Sequence, residues 1–287
     1  MAKPPLDRFL RFVEFTAVLN QLVAAYPGLF ALESIGRSYE GRDIWLCTVT
    51  NTATGPADEK PAVWIEANIH AVEVAGGVAA LHLLWSLCDR HGHDERVTRA
   101  VDTRAVYVVP RLNPDGVELT LSDHPRIVRS STRPWPWADR RSQPGLLVED
   151  IDGDGRILTM RWPDPNGIWK AHPDDARLLV PRQPDDGPDD GPYWRLCDEG
   201  SIVDYDGVTI PLPRPVEGLD MNRNYPAGWN TRQRGGGDYP GSEPEIQALL
   251  RAVTARPNIC IYNAFHTSGG MLLRPSSMRP DSELPPD

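Results

Sequence analysis

The sequence predicts an α/β fold of three layers, with helices covering both faces of a mixed, largely buried sheet. Three observations carry this. Apolar runs of strand length alternate with segments of helical periodicity, the pattern of a sheet wrapped by helices. The run at 62–65 (Ala-Val-Trp-Ile) is apolar at successive positions, as a strand buried on both faces requires. A chain of 287 residues is also long enough to bury such a sheet.

The elements follow in order. Residues 8–26 place Phe9, Phe12, Val13, Phe15, Val18, Leu19 and Leu22 at helical spacing, and Pro27 ends the helix. Residues 43–49 and 62–65 read as strands, and 73–90 reads as a helix whose first turns, Ala75 to Ala80, are small and apolar. Residues 105–110 form a further strand, 246–255 a helix, and 258–264 a strand that delivers His266 at its C-terminal end. Between them, 122–217 is rich in Pro, Asp, Gly and Trp with only short apolar runs. So long a loop inside a compact domain is unusual and often functional. We read one domain over 1–287 interrupted by this insertion, which packs through tryptophans such as Trp135 and Trp137.

Charge narrows the class. Lys and Arg number 30 against 40 Asp and Glu, a net of −10, which argues against general nucleic-acid or anionic-membrane binding. No leader pattern opens the chain, and no uncharged apolar stretch is long enough to span a bilayer. Cys47, Cys88, Cys197 and Cys260 show no CxxC pairing and sit mostly in apolar runs, so buried free thiols and a cytoplasmic setting are expected.

The chemistry starts at His70 and Glu73, across a strand-to-helix junction, answered downstream by His266. Two imidazoles and a carboxylate offer zinc three donors and leave a fourth position for water or substrate. Taken alone, the pair reads equally as a satisfied histidine and a first-turn glutamate favoured by the helix dipole. A lone strand-end histidine is more often structural. The joint placement changes this, because His70 and His266 both fall at carboxyl ends of strands, where ligands collect in such sheets.

Further motifs accompany them: Asn113-Pro114-Asp115-Gly116, Asn222-Arg223-Asn224 preceded by Asp220, and Ser242-Glu243-Pro244-Glu245. The order HxxE, NPDG, NRN, SEPE and a strand-end His resembles the zinc carboxypeptidases of the carboxypeptidase A/B type. Residues 35–44 also resemble that family's lead-in strand. The resemblance covers 30–120 and 218–270, and the insertion matches poorly. It implies one zinc ion on His70, Glu73 and His266, with Asp220 holding a ligating histidine. It implies that Asn222 and Arg223 grip a substrate's terminal carboxylate, as a planar guanidinium can. The arginine that stabilises the oxyanion falls at Arg129, with Arg133 as the alternative that spacing does not separate.

Two departures qualify the likeness. Val72 stands where the family carries a substrate-contacting arginine before the glutamate. The family's general-base glutamate and capping tyrosine lie beyond the last zinc histidine, whereas here the only later acids are Asp281, Glu283 and Asp287. We therefore expect the last strands and helices to be missing and this segment to be slow or inactive alone. A separate signal, Asp150-Ile151-Asp152-Gly153-Asp154-Gly155, opens like an EF-hand loop, but its twelfth position is Arg161 instead of the bidentate glutamate. Calcium at Asp150, Asp152 and Asp154 competes there with simple Asp-Gly turns. The expected function is removal of a C-terminal residue from peptides bearing a free carboxylate. The alternatives are a zinc amidase acting on acylamino acids or cell-wall peptides, and a metal-bearing binding module without turnover. The sequence says nothing of oligomeric state.

Overall fold

The computed structural model describes residues 3–274 other than 124, 127, 137, 140–142, 215 and 268, together with residue 283. The expectations for Trp137 and for the tail acids Asp281 and Asp287 lie outside the described residues. The chain divides into two compact units, Met1–Trp135 with Glu217–Asp287, and Pro136–Val216.

The first unit opens with α1 (Phe12–Ala25), β1 (Phe30–Arg37), β2 (Asp43–Val49), β3 (Ala62–Ala67), α2 (Ala75–Arg90), α3 (Glu95–Thr103), β4 (Ala105–Val109) and α4 (Pro114–Thr120). Among its described residues the second unit holds short strands, β5 (Gly145–Val148), β6 (Thr159–Pro163), β7 (Trp169–Ala171), β8 (Leu179–Pro181), β9 (Tyr193–Asp198) and β10 (Gly200–Val203), and one 3-10 turn at Pro188–Asp190. The chain returns to the first unit with α5 (Pro244–Thr254) and β11 (Ile259–Phe265).

The principal sheet has the order β1-β2-β4-β3-β11. Its β1–β2 and β2–β4 pairs are antiparallel, while β3 runs parallel to both β4 and β11, so the sheet is mixed as expected. Side chains alternate across it. Ile65 and Ala67 face one core with Leu19 and Leu22 of α1 and Leu81 and Leu84 of α2. Trp64, Tyr107 and Val109 face the other core with Ile246 and Leu249 of α5. These are the three layers the sequence predicts. Because β3, β4 and β11 are mutually parallel, their carboxyl ends share one edge, and the loops that leave them converge there.

Local chemistry sets the boundaries. The first helix begins at Phe12, later than the apolar spacing suggests, because the Glu14 side chain accepts the Arg11 N–H and caps that end. The thiols are all unpaired, but only Cys47 and Cys88 are buried. Cys260 is exposed, since β11 has β3 as its one sheet neighbour among the described residues. No helix among the described residues is long and apolar enough to cross a membrane.

In the second unit, β6, β9, β7 and β8 form one sheet and β5 pairs with β10 in another. Trp169 lies opposite Trp194 across the β7–β9 pair, and the Arg161 guanidinium sits 4.8 Å over the Trp194 ring. These tryptophans pack within the unit. Their strands went unpredicted because three to six residues of mixed polarity leave no periodic signal.

Candidate metal centre

The loop after β3 is shaped by Asn68, which takes a left-handed conformation (φ 55°) tolerated by asparagine better than by most side chains. Its amide Nδ2 donates to the Glu73 carbonyl at 2.6 Å and closes the loop that carries His70 and Glu73. Gly77 makes room for this. A β-carbon there would stand 2.3 Å from Asn68 Oδ1.

The segment bearing Arg129 is stitched onto the same loop. Arg129 O accepts from Ala71 N at 2.7 Å, Asn113 Nδ2 donates to Ser130 O at 2.7 Å, and Ser130 Oγ accepts from Met221 N at 2.9 Å. Asn113 is therefore a positioner at the carboxyl end of β4, also capping α4 by accepting the Gly116 N–H. Asp115 anchors the β1–β2 turn, accepting from Ser38 Oγ, Glu40 N and Arg42 Nη1.

His70, Glu73 and His266 come together, with one donor atom from each lying within 4.8 Å of the others. His70 Nδ1 is 2.9 Å from Glu73 Oε1 and 3.1 Å from His266 Nδ1. His266 Nδ1 is 3.0 Å from Glu73 Oε2, which also accepts from Thr267 N. On the far side of the ring, His70 Nε2 lies 3.1 Å from Asp220 Oδ1. Burial works to raise the Asp220 pKa, but hydrogen bonds from His70 and Arg129 outweigh it and hold the carboxyl well below its usual range. Asp220 is thus an acceptor, and it draws the ring proton to Nε2.

That arrangement tests the fit to a cation. With Nε2 donating to Asp220, the Nδ1 of a neutral His70 ring presents a lone pair to a carboxylate oxygen and to a second ring nitrogen. Lone pairs converging on one point repel unless a proton or cation lies among them. Tetrahedral zinc with bonds of ~2.0–2.2 Å asks for donor separations of about 3.3–3.6 Å. The observed 2.9–3.1 Å are a few tenths shorter, so the donor set fits zinc with slight outward movement.

The other predicted residues divide. Arg129 Nε donates to Asp220 Oδ2 at 3.0 Å and its Nη1 stands 3.8 Å from Glu73 Oε1. Arg133 is occupied elsewhere, gripping the buried Glu243 through Nε and Nη2. Of the two arginines that spacing leaves equivalent, Arg129 is the one that contacts residues of the cluster. Asn222 is half-buried and Arg223 exposed in the turn at Met221–Arg223, capped by Asp220. Among the described residues no carboxylate pairs with the Arg223 guanidinium, which donates to Asn222 O. Val72 is partly exposed beside the loop.

In the second unit, Asp150 and Asp152 group with Glu199, a residue the sequence reading missed, and Asp154 stands outside that group. Asp150 accepts from the backbone N–H of Gly153 and Gly155, and Glu199 from those of Ile151, Asp152 and Leu158. Glu66, a charged residue within the buried strand run, has no motif around it in the sequence to mark it. It accepts from Tyr262 Oη at 2.6 Å and Tyr225 Oη at 3.3 Å, and burial pushes its carboxyl up to about 7.

Comparisons with known proteins place the chain. A zinc carboxypeptidase of Saccharothrix mutabilis subsp. capreolus is 32% identical over 111 residues, covering 39% of this chain and 25% of that protein. An inactive metallocarboxypeptidase of Saccharomyces cerevisiae is 31% identical over 134 residues, covering 47% of this chain and 30% of that one. The solved carboxypeptidase A of Helicoverpa armigera superposes with a TM-score of 0.57 at 17% identity, covering 92% of this chain and 47% of its own. That likeness bears on fold alone. The chain thus spans about half of that solved structure, and its matched segment a third or less of these curated relatives. The family model described as zinc carboxypeptidase matches residues 15–287. On a match that omits only residues 1–14, the chain belongs to the zinc carboxypeptidase family.

Proposed function

We propose that the His70–Glu73–His266 cluster holds one zinc ion and serves a carboxypeptidase-type hydrolysis, the removal of a C-terminal residue from peptides with a free carboxylate. The observation that carries this is the convergence of two Nδ1 atoms and a carboxylate while Asp220 occupies the outer nitrogen of His70. Bound zinc supplies Lewis-acid chemistry, lowering the pKa of water and polarising a carbonyl. The chain's own groups do the rest. Asp220 fixes the His70 tautomer and ring orientation. Arg129, beside Glu73 and half-exposed, is the donor for charge developing on the scissile carbonyl oxygen; losing such a donor typically costs about 2.7–4 kcal/mol. Arg223, free of any carboxylate among the described residues, binds the substrate's terminal carboxylate with Asn222, which sets the direction in which a peptide lies.

Among the described residues, the carboxylates hydrogen-bonded to the imidazoles are those of Glu73 and Asp220, both already engaged. Among the described residues no further base is hydrogen-bonded at the cluster to take a proton from water. General acid–base assistance is worth ~10²–10⁴-fold, so slow turnover is part of the proposal. We assign no calcium role to Asp150, Asp152 and Asp154, because backbone N–H groups of the same turns already engage the loop's carboxylates.

The test is metal stoichiometry. His70→Ala and Glu73→Ala should each abolish equimolar zinc in the purified protein; full retention in both would remove the ligand assignment. A panel of peptides and acylamino acids then separates a carboxypeptidase from an amidase, which the apolar Val72 would also suit. Zinc binding without turnover of either substrate would leave a metal-bearing binding module.

A further inference from the structure

Three elements must be held in register for the site to exist: β3, whose end carries His70 and Glu73; β11, whose end carries His266; and the turn with Asp220, Asn222 and Arg223. The last two lie far from β3 in sequence, and β11 rests on β3 as its one sheet neighbour among the described residues. One buried side chain links β3 and β11 to the residue just beyond that turn. Glu66, 3% exposed on β3, accepts from Tyr262 Oη of β11 and from Tyr225 Oη just after the turn. Its backbone pairs with Ala264, two residues before His266. The Tyr262 ring also stacks on Trp64 of β3 at 6.3 Å between centroids, so the phenol has little freedom to swing away.

We propose that Glu66 is a positioning residue with two arms, Tyr262 setting His266 against His70 and Glu73, and Tyr225 setting the Asn222–Arg223 clamp against the metal ligands. A buried carboxyl is costly and is retained only where its hydrogen bonds are made. Glu66 has both oxygens bonded, one to β11 and one to the residue just beyond the turn. The β3–β11 ladder sets the strand register, but apolar packing leaves the ends of the strands and the turn free to tilt by fractions of an ångström. A polar contact with defined lone-pair directions specifies one placement. The proposal rests on the zinc reading above, in that the quantities it predicts are zinc and carboxylate affinities.

The experiment uses the full chain and two conservative variants, Tyr262→Phe and Tyr225→Phe, which keep the rings and delete one hydroxyl each. Zinc affinity is measured by competition with a chromophoric chelator. Carboxylate affinity is measured on the zinc-loaded protein by calorimetry with an uncleavable dipeptide analogue, its C-terminal amide serving as blank. The expected result is a split. Tyr262→Phe weakens zinc at least fivefold and, once zinc is saturating, leaves peptide affinity within twofold. Tyr225→Phe leaves zinc within twofold and weakens the peptide at least fivefold. A merely structural phenol would lower both affinities together or neither, and any such parallel or crossed pattern overturns the proposal. If the parent chain binds no zinc, the zinc reading itself fails, which is a distinguishable result.

Discussion

At the scale of single residues, the balance between burial and hydrogen bonding sets Asp220 and Glu66 apart. Asp220 has a cationic partner and a ring N–H, so it stays ionised and always accepts from His70. Replacing it with Asn removes the charge that makes Nε2 the protonated nitrogen, and a metal-holding imidazole that loses such a partner typically weakens the metal ~10–100-fold. A zinc titration of Asp220→Asn should show that loss, and an unchanged affinity would mean that His70 needs no orienting group. Glu66 has only phenols, and burial raises it from 4.5 to about 7. The unfolded chain therefore releases this proton at lower pH than the folded one. Between about pH 4.5 and pH 7 the folded state holds more protons, so stability falls as pH rises through that window and levels off above it, a change of roughly 3 kcal/mol. Glu66→Gln lacks this limb. In metal-free protein, the difference in unfolding free energy between parent and variant should swing toward the variant across that window. Parallel curves would show that the group is not a buried acid.

At the scale of elements, the junction between β3 and α2 is the tightest piece of the site. Two adjacent glycines open α2, and their surroundings make opposite predictions. Gly76 would place a β-carbon 3.5 Å from Ala67 and Phe265, ordinary contact, so Gly76→Ala should be neutral or gain up to ~1 kcal/mol from helix propensity. A β-carbon on Gly77 would meet Asn68 Oδ1 at 2.3 Å and Pro110 O at 3.2 Å, forcing Asn68 off the Glu73 carbonyl. Overpacking of that kind costs ~1–3 kcal/mol, which exceeds the propensity gain. Gly77→Ala should lower the thermal midpoint and weaken zinc, while Gly76→Ala does neither. Equal behaviour of the two variants would contradict this account of the loop. The sequence shows the outline of this region but not its joinery. The apolar runs of β2, β3, β4 and β11 and the spacing of α2 and α5 are legible because burial on one or both faces dictates composition. The metal candidates are legible because histidines and acids at strand ends are few. Arg129 and Arg133 look alike until Glu243, 110 residues further on, engages one of them. Glu66 is likewise illegible, since the phenols that give it a role are 159 and 196 residues away. The short strands of the second unit carry no pattern of their own.

At the scale of the whole chain, all the residues given a part in the metal site belong to the first unit, and the second unit enters and leaves at one point. Trp135 and Glu217 form an isolated parallel bridge, and Gly218 N donates to Trp135 O at 3.2 Å, so the two ends of the excursion are already neighbours. Closing a short loop between ends held this near adds little entropy cost, because that cost grows only slowly with loop length. The residues flanking the junction are fixed within the first unit, Arg133 to Glu243 and Trp135 Nε1 to Asp238. Replacing Pro136–Val216 with a short glycine–serine linker should therefore leave a folded protein that binds equimolar zinc with an affinity within a few-fold of the parent. Circular dichroism and a zinc titration check this together. A folded product that has lost zinc would show that the second unit supports the metal site, and an unfolded one that the first unit is not an independent core. Retention of zinc combined with a changed peptide preference would locate the second unit's contribution in substrate choice, the role that long functional loops on a rigid scaffold commonly take.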